Sequence, residues 1–87
     1  MSNISPFAST SSEHLSEALR FHRKRTSLTQ AELAKLAGVG KTVIFDLESG
    51  KRSVQMDTLI KVLNVLNIEM RFFSPLMELY LKEVEAK

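Results

Sequence analysis

From Glu13 to Arg25 apolar positions return at helical spacing, as Leu15, Ala18, Leu19 and then His22. Bases gather at the C-terminal end, where the helix dipole favours them. The spacing predicts a first helix over 13–25. Thr29 with Glu32 three residues on forms a capping box, and Leu33, Ala34 and Ala37 make an apolar face that Gly38 ends. A second helix of about two turns is expected there. A third runs from Gly40 or Lys41 to Glu48, burying Ile44 and Leu47, with Gly50 suited to the position past its end. A fourth, from Met56 to Leu66, turns Leu59, Ile60, Leu63 and Leu66 inward.

After the fourth helix the period changes. In IEMRFF, residues 68–73, Ile68, Met70 and Phe72 alternate with Glu69, Arg71 and Phe73, which predicts a strand. A lone strand cannot satisfy its backbone hydrogen bonds within one subunit, so it is expected to pair with its copy in a homodimer. Ser74-Pro75 reads as an N-cap and first-turn pair opening a short C-terminal helix with Leu76, Leu79, Tyr80 and Val84. The Ser-, Thr- and Asn-rich residues 1–12 read as a flexible N-terminal arm. The expected class is all-α, with four to five helices and one short C-terminal strand.

Length and composition add constraints. A chain of 87 residues is one small domain whose core is only marginally self-sufficient, so a partner subunit is expected. There is no cysteine, hence no disulfide framework and no thiolate metal site. The polar start lacks the basic and apolar regions of a secretory signal, and no apolar run approaches the roughly 18 residues of a membrane span. The expected location is the cytoplasm, with no membrane partner. The net charge of +2 is unevenly spread. Residues 20–52 carry eight bases against three acids, a local net of +5, while both flanks are slightly acidic. That is the distribution of a segment that sits on phosphates, although a solvated basic face has the same signature.

GVGKT, residues 38–42, ends like a phosphate-binding P-loop. Such a loop needs G-x-x-x-x-G-K-[ST] after a strand, and the position that must be glycine is Lys35. What precedes the loop is a helix, and one strand cannot supply a parallel sheet behind it. Two short helices joined by a glycine-containing turn are instead the anatomy of a helix-turn-helix unit.

At this point the text LTQAELAKLAGVGKTVIFDLESGKRSVQMDTLIKVLNVLNI resembles the Cro/phage-repressor (XRE) helix-turn-helix family, a lambda-repressor-like fold. The likeness spans residues 15–67, here taken with the lead-in to give a DNA-binding domain over 13–67, and leaves 68–87 as dimerisation strand and tail. It is carried by TQAELA, the glycine turn, I-x-x-L-E and GKR together. It implies that Thr29 and Gln30 touch phosphate while Lys41, Thr42, Phe45 and Asp46 face base edges in the major groove. Lys donates to guanine, Thr has several modes, and Asp accepts from cytosine N4. Phe45 stands where relatives more often have a small or polar residue; it either meets a thymine methyl or folds back onto a neighbour. Lys51 and Arg52 are implied phosphate contacts, each adding about one unit of salt dependence. Arg23 and Glu48 resemble the family's structural ion pair. Gly40 replaces a capping Ser or Thr, and Val54-Gln55 replaces the commoner Pro-Ser, so both helix starts are expected to be weakly capped.

The resemblance implies a sequence-specific transcriptional repressor that binds an inverted-repeat operator as a dimer through Ile68, Met70, Phe72 and Phe73. A strand directly after the fourth helix, with only a short extension, further resembles HipB-type antitoxins, which implies a kinase-like toxin as partner and autoregulation of a toxin–antitoxin operon. Two alternatives stay open: a free-standing XRE regulator without a toxin, and a protein-binding adaptor, against which the +5 segment argues. His14 and His22 lie eight apart with no carboxylate or cysteine at ligand spacing, and nothing resembles a nucleophile motif. No metal, no cofactor and no enzymatic activity are expected.

Overall fold

The computed structural model describes residues 12–51 and 53–86. Among these are five helices: α1 (Ser12–Arg25), α2 (Gln30–Ala37), α3 (Lys41–Glu48), α4 (Met56–Val65) and α5 (Met77–Glu85). The apolar stripes of the first four meet in one core of Leu19, Leu33, Ala34, Ala37, Ile44, Leu47, Leu59, Val62, Leu63 and Leu66. α2 lies at its centre, packed on both α3 and α4, and α3 also packs on α1. Small side chains at Ala34 and Ala37 let α2 approach its neighbours closely.

The first four helices end in the same way. Among the described residues, those of positive φ are Ser27, Gly38, Gly50 and Asn67, at 60°, 73°, 87° and 57°. At each, the amide of that residue and the amide of the next fold back onto the helix. At α2, for example, Gly38 N–H donates to Lys35 C=O at 3.3 Å and Val39 N–H to Ala34 C=O at 3.0 Å. This is the Schellman arrangement, which satisfies carbonyls left over at a helix end and turns the chain sharply. In three of the four turns the next residue is apolar, and Leu28, Val39 and Ile68 all pack against the core. The turns thereby fix both helix length and the direction of the next segment. Gly38 and Gly50 stand where the glycines predicted them; Ser27 and Asn67 do the same work without glycine.

The start of α2 is a complete capping box: Glu32 N–H donates to Thr29 Oγ1 at 3.0 Å, and Thr29 N–H donates to Glu32 Oε1 at 2.8 Å. α3 and α4 begin at Gly40 and Gln55 with no side-chain cap, as the two departures from the family pattern predict.

Three expectations are corrected. Among the described residues there is no strand, and 68–74 have no regular structure. A strand is defined by its ladder bonds, and a single copy of this chain offers no second strand to make them. Ile60 is 42% exposed, whereas Val62 is buried to 1%. The stripe is therefore 59, 62, 63, 66, the i, i+3, i+4, i+7 spacing, and Ile60 lies beside it. Ser74 and Pro75 do not cap α5; they sit in the turn ahead of it, with Met77 N–H donating to Ser74 C=O at 3.2 Å. The arm expected over 1–12 lies outside the described residues except for Ser12, which opens α1, and Arg52 lies outside them too.

Candidate nucleic-acid interface

α3 is two turns long, and its two sides differ sharply. Ile44 and Leu47 are buried to 0% and 4% and hold the helix on the core. Lys41, Thr42 and Phe45 are exposed on the opposite side, with Asp46 half-buried at its margin. At about 100° per residue these four occupy one arc of roughly 140°. Phe45 is 57% exposed, so its ring is not folded away onto a neighbour.

What keeps this arc in place is a polar clamp at the far end of α3. Glu48, the last residue of the helix, accepts Nε of Arg23 at 2.6 Å on Oε2 and Nη2 of Arg23 at 2.9 Å on Oε1. Gln30, the first residue of α2, adds Nε2 to Oε1 at 3.1 Å, and Arg23 Nη1 donates to Leu28 C=O at 2.9 Å. One carboxylate thus ties α1, α2 and α3 together, and the loop entering α2 is bound to the same guanidinium. Burial pushes the Glu48 carboxyl up, but hydrogen bonds from Arg23 and Gln30, with the charges of Arg23 and Arg20, outweigh it and hold it below its ordinary value. The hydrogen bond to Glu48 raises the Arg23 guanidinium against the opposing effect of burial.

The ion pair expected from Arg23 and Glu48 is therefore present, with the two side chains 11% and 5% exposed. Gln30 has a role that the sequence did not suggest. Its amide is engaged by Glu48, and one of its two N–H groups remains for another acceptor. Thr29 is exposed at the helix start, its oxygen occupied by the cap and its hydroxyl proton free to donate. Lys51 Nζ lies 3.3 Å from Asp46 Oδ2, so two residues expected to act separately are joined. Of the residues expected at a dimer contact, Ile68 packs on its own core, while Met70, Phe72 and Phe73 are 39%, 69% and 78% exposed.

Other chemistry is sparse. Among the described residues no group of three or more His, Asp or Glu side chains could hold a metal ion. No helix among them is long and apolar enough to cross a membrane.

A two-turn helix clamped across its C-terminal end, presenting Lys, Thr and Phe outward, and preceded by a capped helix and a left-handed glycine turn, is a helix-turn-helix unit. The chain belongs to the helix-turn-helix family HTH_3, of XRE type, whose profile matches residues 19–73; these are DNA-binding transcription regulators. It is similar to the uncharacterized HTH-type transcriptional regulator y4mF of Sinorhizobium fredii, 40% identical over 57 residues, 66% of this chain and 75% of the relative. It is also similar to control protein C.SmaI of Serratia marcescens, 36% identical over 55 residues, 63% of this chain and 66% of the relative. Among solved structures, HipB in a HipA-HipB-O2-O3 complex superposes with a TM-score of 0.69 at 27% identity, covering 77% of this chain and 94% of that one. A HipB-O4 20mer complex gives the same four figures, 0.69, 27%, 77% and 94%.

Proposed function

We propose that this protein is a dimeric, sequence-specific repressor and the antitoxin of a HipBA-like toxin–antitoxin operon, whose own inverted-repeat operator it binds. The observation that carries the DNA-reading part is the exposed arc Lys41, Thr42, Phe45 on a helix whose other side is fully buried. Lys41 donates to guanine, Thr42 contacts a base edge, and Phe45 packs on a thymine methyl. Thr29, Gln30, Lys51 and Arg52 contact phosphates around that arc. The concentration of positive charge in residues 20–52 supports the same orientation.

The dimer joins two copies through residues 68–73. Arg71 Nη2 lies 2.7 Å from Glu69 Oε1, so side chains two apart point the same way, as in an extended chain. Phe72, Phe73 and the apolar side chains of α5, none of which is buried, extend the same surface. A nine-residue helix with no buried residue needs such cover to persist. The two-fold axis sets the reading heads about 34 Å apart, one turn of DNA.

The antitoxin role is supported by likeness to HipB in complexes with operator DNA and with HipA. A kinase-like toxin is the implied partner, contacting surfaces away from 41–46. Two tests address this reading. The chain should repress a reporter driven by DNA upstream of its own gene. It should also co-elute with the product of the adjacent reading frame, and relieve that product's growth inhibition. Repression with no toxin alongside favours a second reading, a free-standing regulator; one curated relative carries the name of an HTH-type transcriptional regulator.

A further inference from the structure

The turn that ends α3 differs from the other three in one residue. After Ser27, Gly38 and Asn67 the chain places Leu28, Val39 and Ile68, each seated on the core. After Gly50 it places Lys51, which is exposed and returns its Nζ to Asp46 Oδ2 at 3.3 Å. The same two residues are joined through the backbone, Lys51 N–H donating to Asp46 C=O at 3.0 Å. Lys51 and Asp46 are the two positions of a Schellman turn between which an apolar contact ordinarily forms. Here an ion pair takes that place.

Stability is a poor explanation for the exchange, because exposed pairs contribute little and the lysine side chain is 58% exposed. Position explains it better. Asp46 stands at the margin of the arc that faces DNA, where a carboxylate without a counter-charge is repelled by phosphate. The Lys51 ammonium removes that repulsion and fixes one carboxylate oxygen, leaving Oδ1 to accept from outside. Both side chains line an open groove with Val43, Val54 and Gln55 between α3 and the start of α4.

We propose that Lys51 is a positioning residue for base readout: it holds the Asp46 carboxylate so that its free oxygen accepts from cytosine N4, while the remaining ammonium hydrogens reach a phosphate. This rests on the DNA-reading role of α3 proposed above. Base choice at one position of the operator then depends on a residue that touches no base.

The test is a base-preference matrix selected from a randomised duplex library for wild type, Asp46→Ala, Lys51→Met, Lys51→Arg and the double variant Asp46→Ala/Lys51→Met. Affinities for single-position operator variants accompany it. Asp46→Ala and Lys51→Met are expected to relax the same base pair, each reducing its cytosine preference about fivefold or more. Lys51→Arg should retain the preference, and the double variant should lose no more than either single one. The inference is overturned if Lys51→Met weakens every duplex by one common factor and leaves the preference intact, which is the behaviour of a phosphate contact alone. It is overturned too if Asp46→Ala changes no position, in which case readout through Lys41, Thr42 and Phe45 still stands. A wild-type matrix with no preference anywhere overturns the proposed function and this inference together.

Discussion

The Arg23 guanidinium and the Glu48 carboxylate meet in a two-bond fork, Nε to Oε2 at 2.6 Å and Nη2 to Oε1 at 2.9 Å, across 25 residues of chain. Both are largely withdrawn from water, so each is the other's replacement for solvent. Removing one leaves a buried charge without its counterpart, which costs about 3–5 kcal/mol. Glu48→Ala and Arg23→Met should each destabilise by that order in urea unfolding, with Glu48→Gln less severe because its amide oxygen still accepts. A loss under about 1 kcal/mol for Glu48→Ala would show that the clamp is not what holds α3 in place.

The same pair gives stability a pH dependence of known sign. The folded Glu48 carboxyl titrates below its ordinary value, so folding favours its ionised form. Its contribution is complete above the unfolded carboxyl's range, near pH 4.3, and fades as pH falls through the lower folded value. Wild type should therefore lose more stability on acidification below about pH 4.3 than Glu48→Gln does. Parallel curves for the two proteins would contradict the assignment.

Helix ends offer a pair of opposed substitutions. Thr29→Ala removes the cap that accepts from Glu32 N–H, and should cost about 1 kcal/mol, with Thr29→Ser nearly neutral. At Gly38 an added Cβ meets nothing within 4 Å, yet φ is +73°, so Gly38→Ala is penalised by backbone strain alone, about 1 kcal/mol. Gly38→Asn should be milder than Gly38→Ala, since Asn tolerates that region. Thermal unfolding separates these, and equal losses for Ala and Asn would refute strain as the cause.

Phe72 and Phe73 are exposed in a single copy, so converting both to Asp leaves the core untouched. Sedimentation of Phe72→Asp/Phe73→Asp should find a folded monomer with weakened binding to an inverted repeat and unchanged binding to a half-site. A variant that remains dimeric would remove residues 68–73 from the interface.

The sequence carried the fold through its caps. The capping box at Thr29 and Glu32, Gly38 in its left-handed turn and the Arg23–Glu48 pair were all legible, because each depends on residue types at fixed local spacing or on a family motif. Ser27 and Asn67 were not, since their conformation is imposed by Leu28 and Ile68 docking on the core. The sequence puts Ile60 inward and passes over Val62, although both fit a helical face, and only the packing of α4 on α2 decides for Val62. The family resemblance implies Gln30 and Lys51 as phosphate contacts, whereas their bonds to Glu48 and Asp46 depend on how helices and turns meet in space. Phe45 reads either as exposed or as folded back, and its exposure follows from Ile44 and Leu47 both pointing inward.

On the proposed function, the arc on α3 reads DNA sequence. Equilibrium binding of the purified protein to a labelled duplex from upstream of its own gene, and to a random duplex, tests it most directly when measured across salt for wild type, Lys41→Ala and Phe45→Ala. Both side chains are exposed, so neither variant should lose more than about 0.5 kcal/mol of stability. Wild type should prefer its own duplex, both variants should lose about 1–3 kcal/mol of that preference, and their affinity for the random duplex should fall less. If wild type binds both duplexes alike and the two variants match it, α3 does not read DNA there.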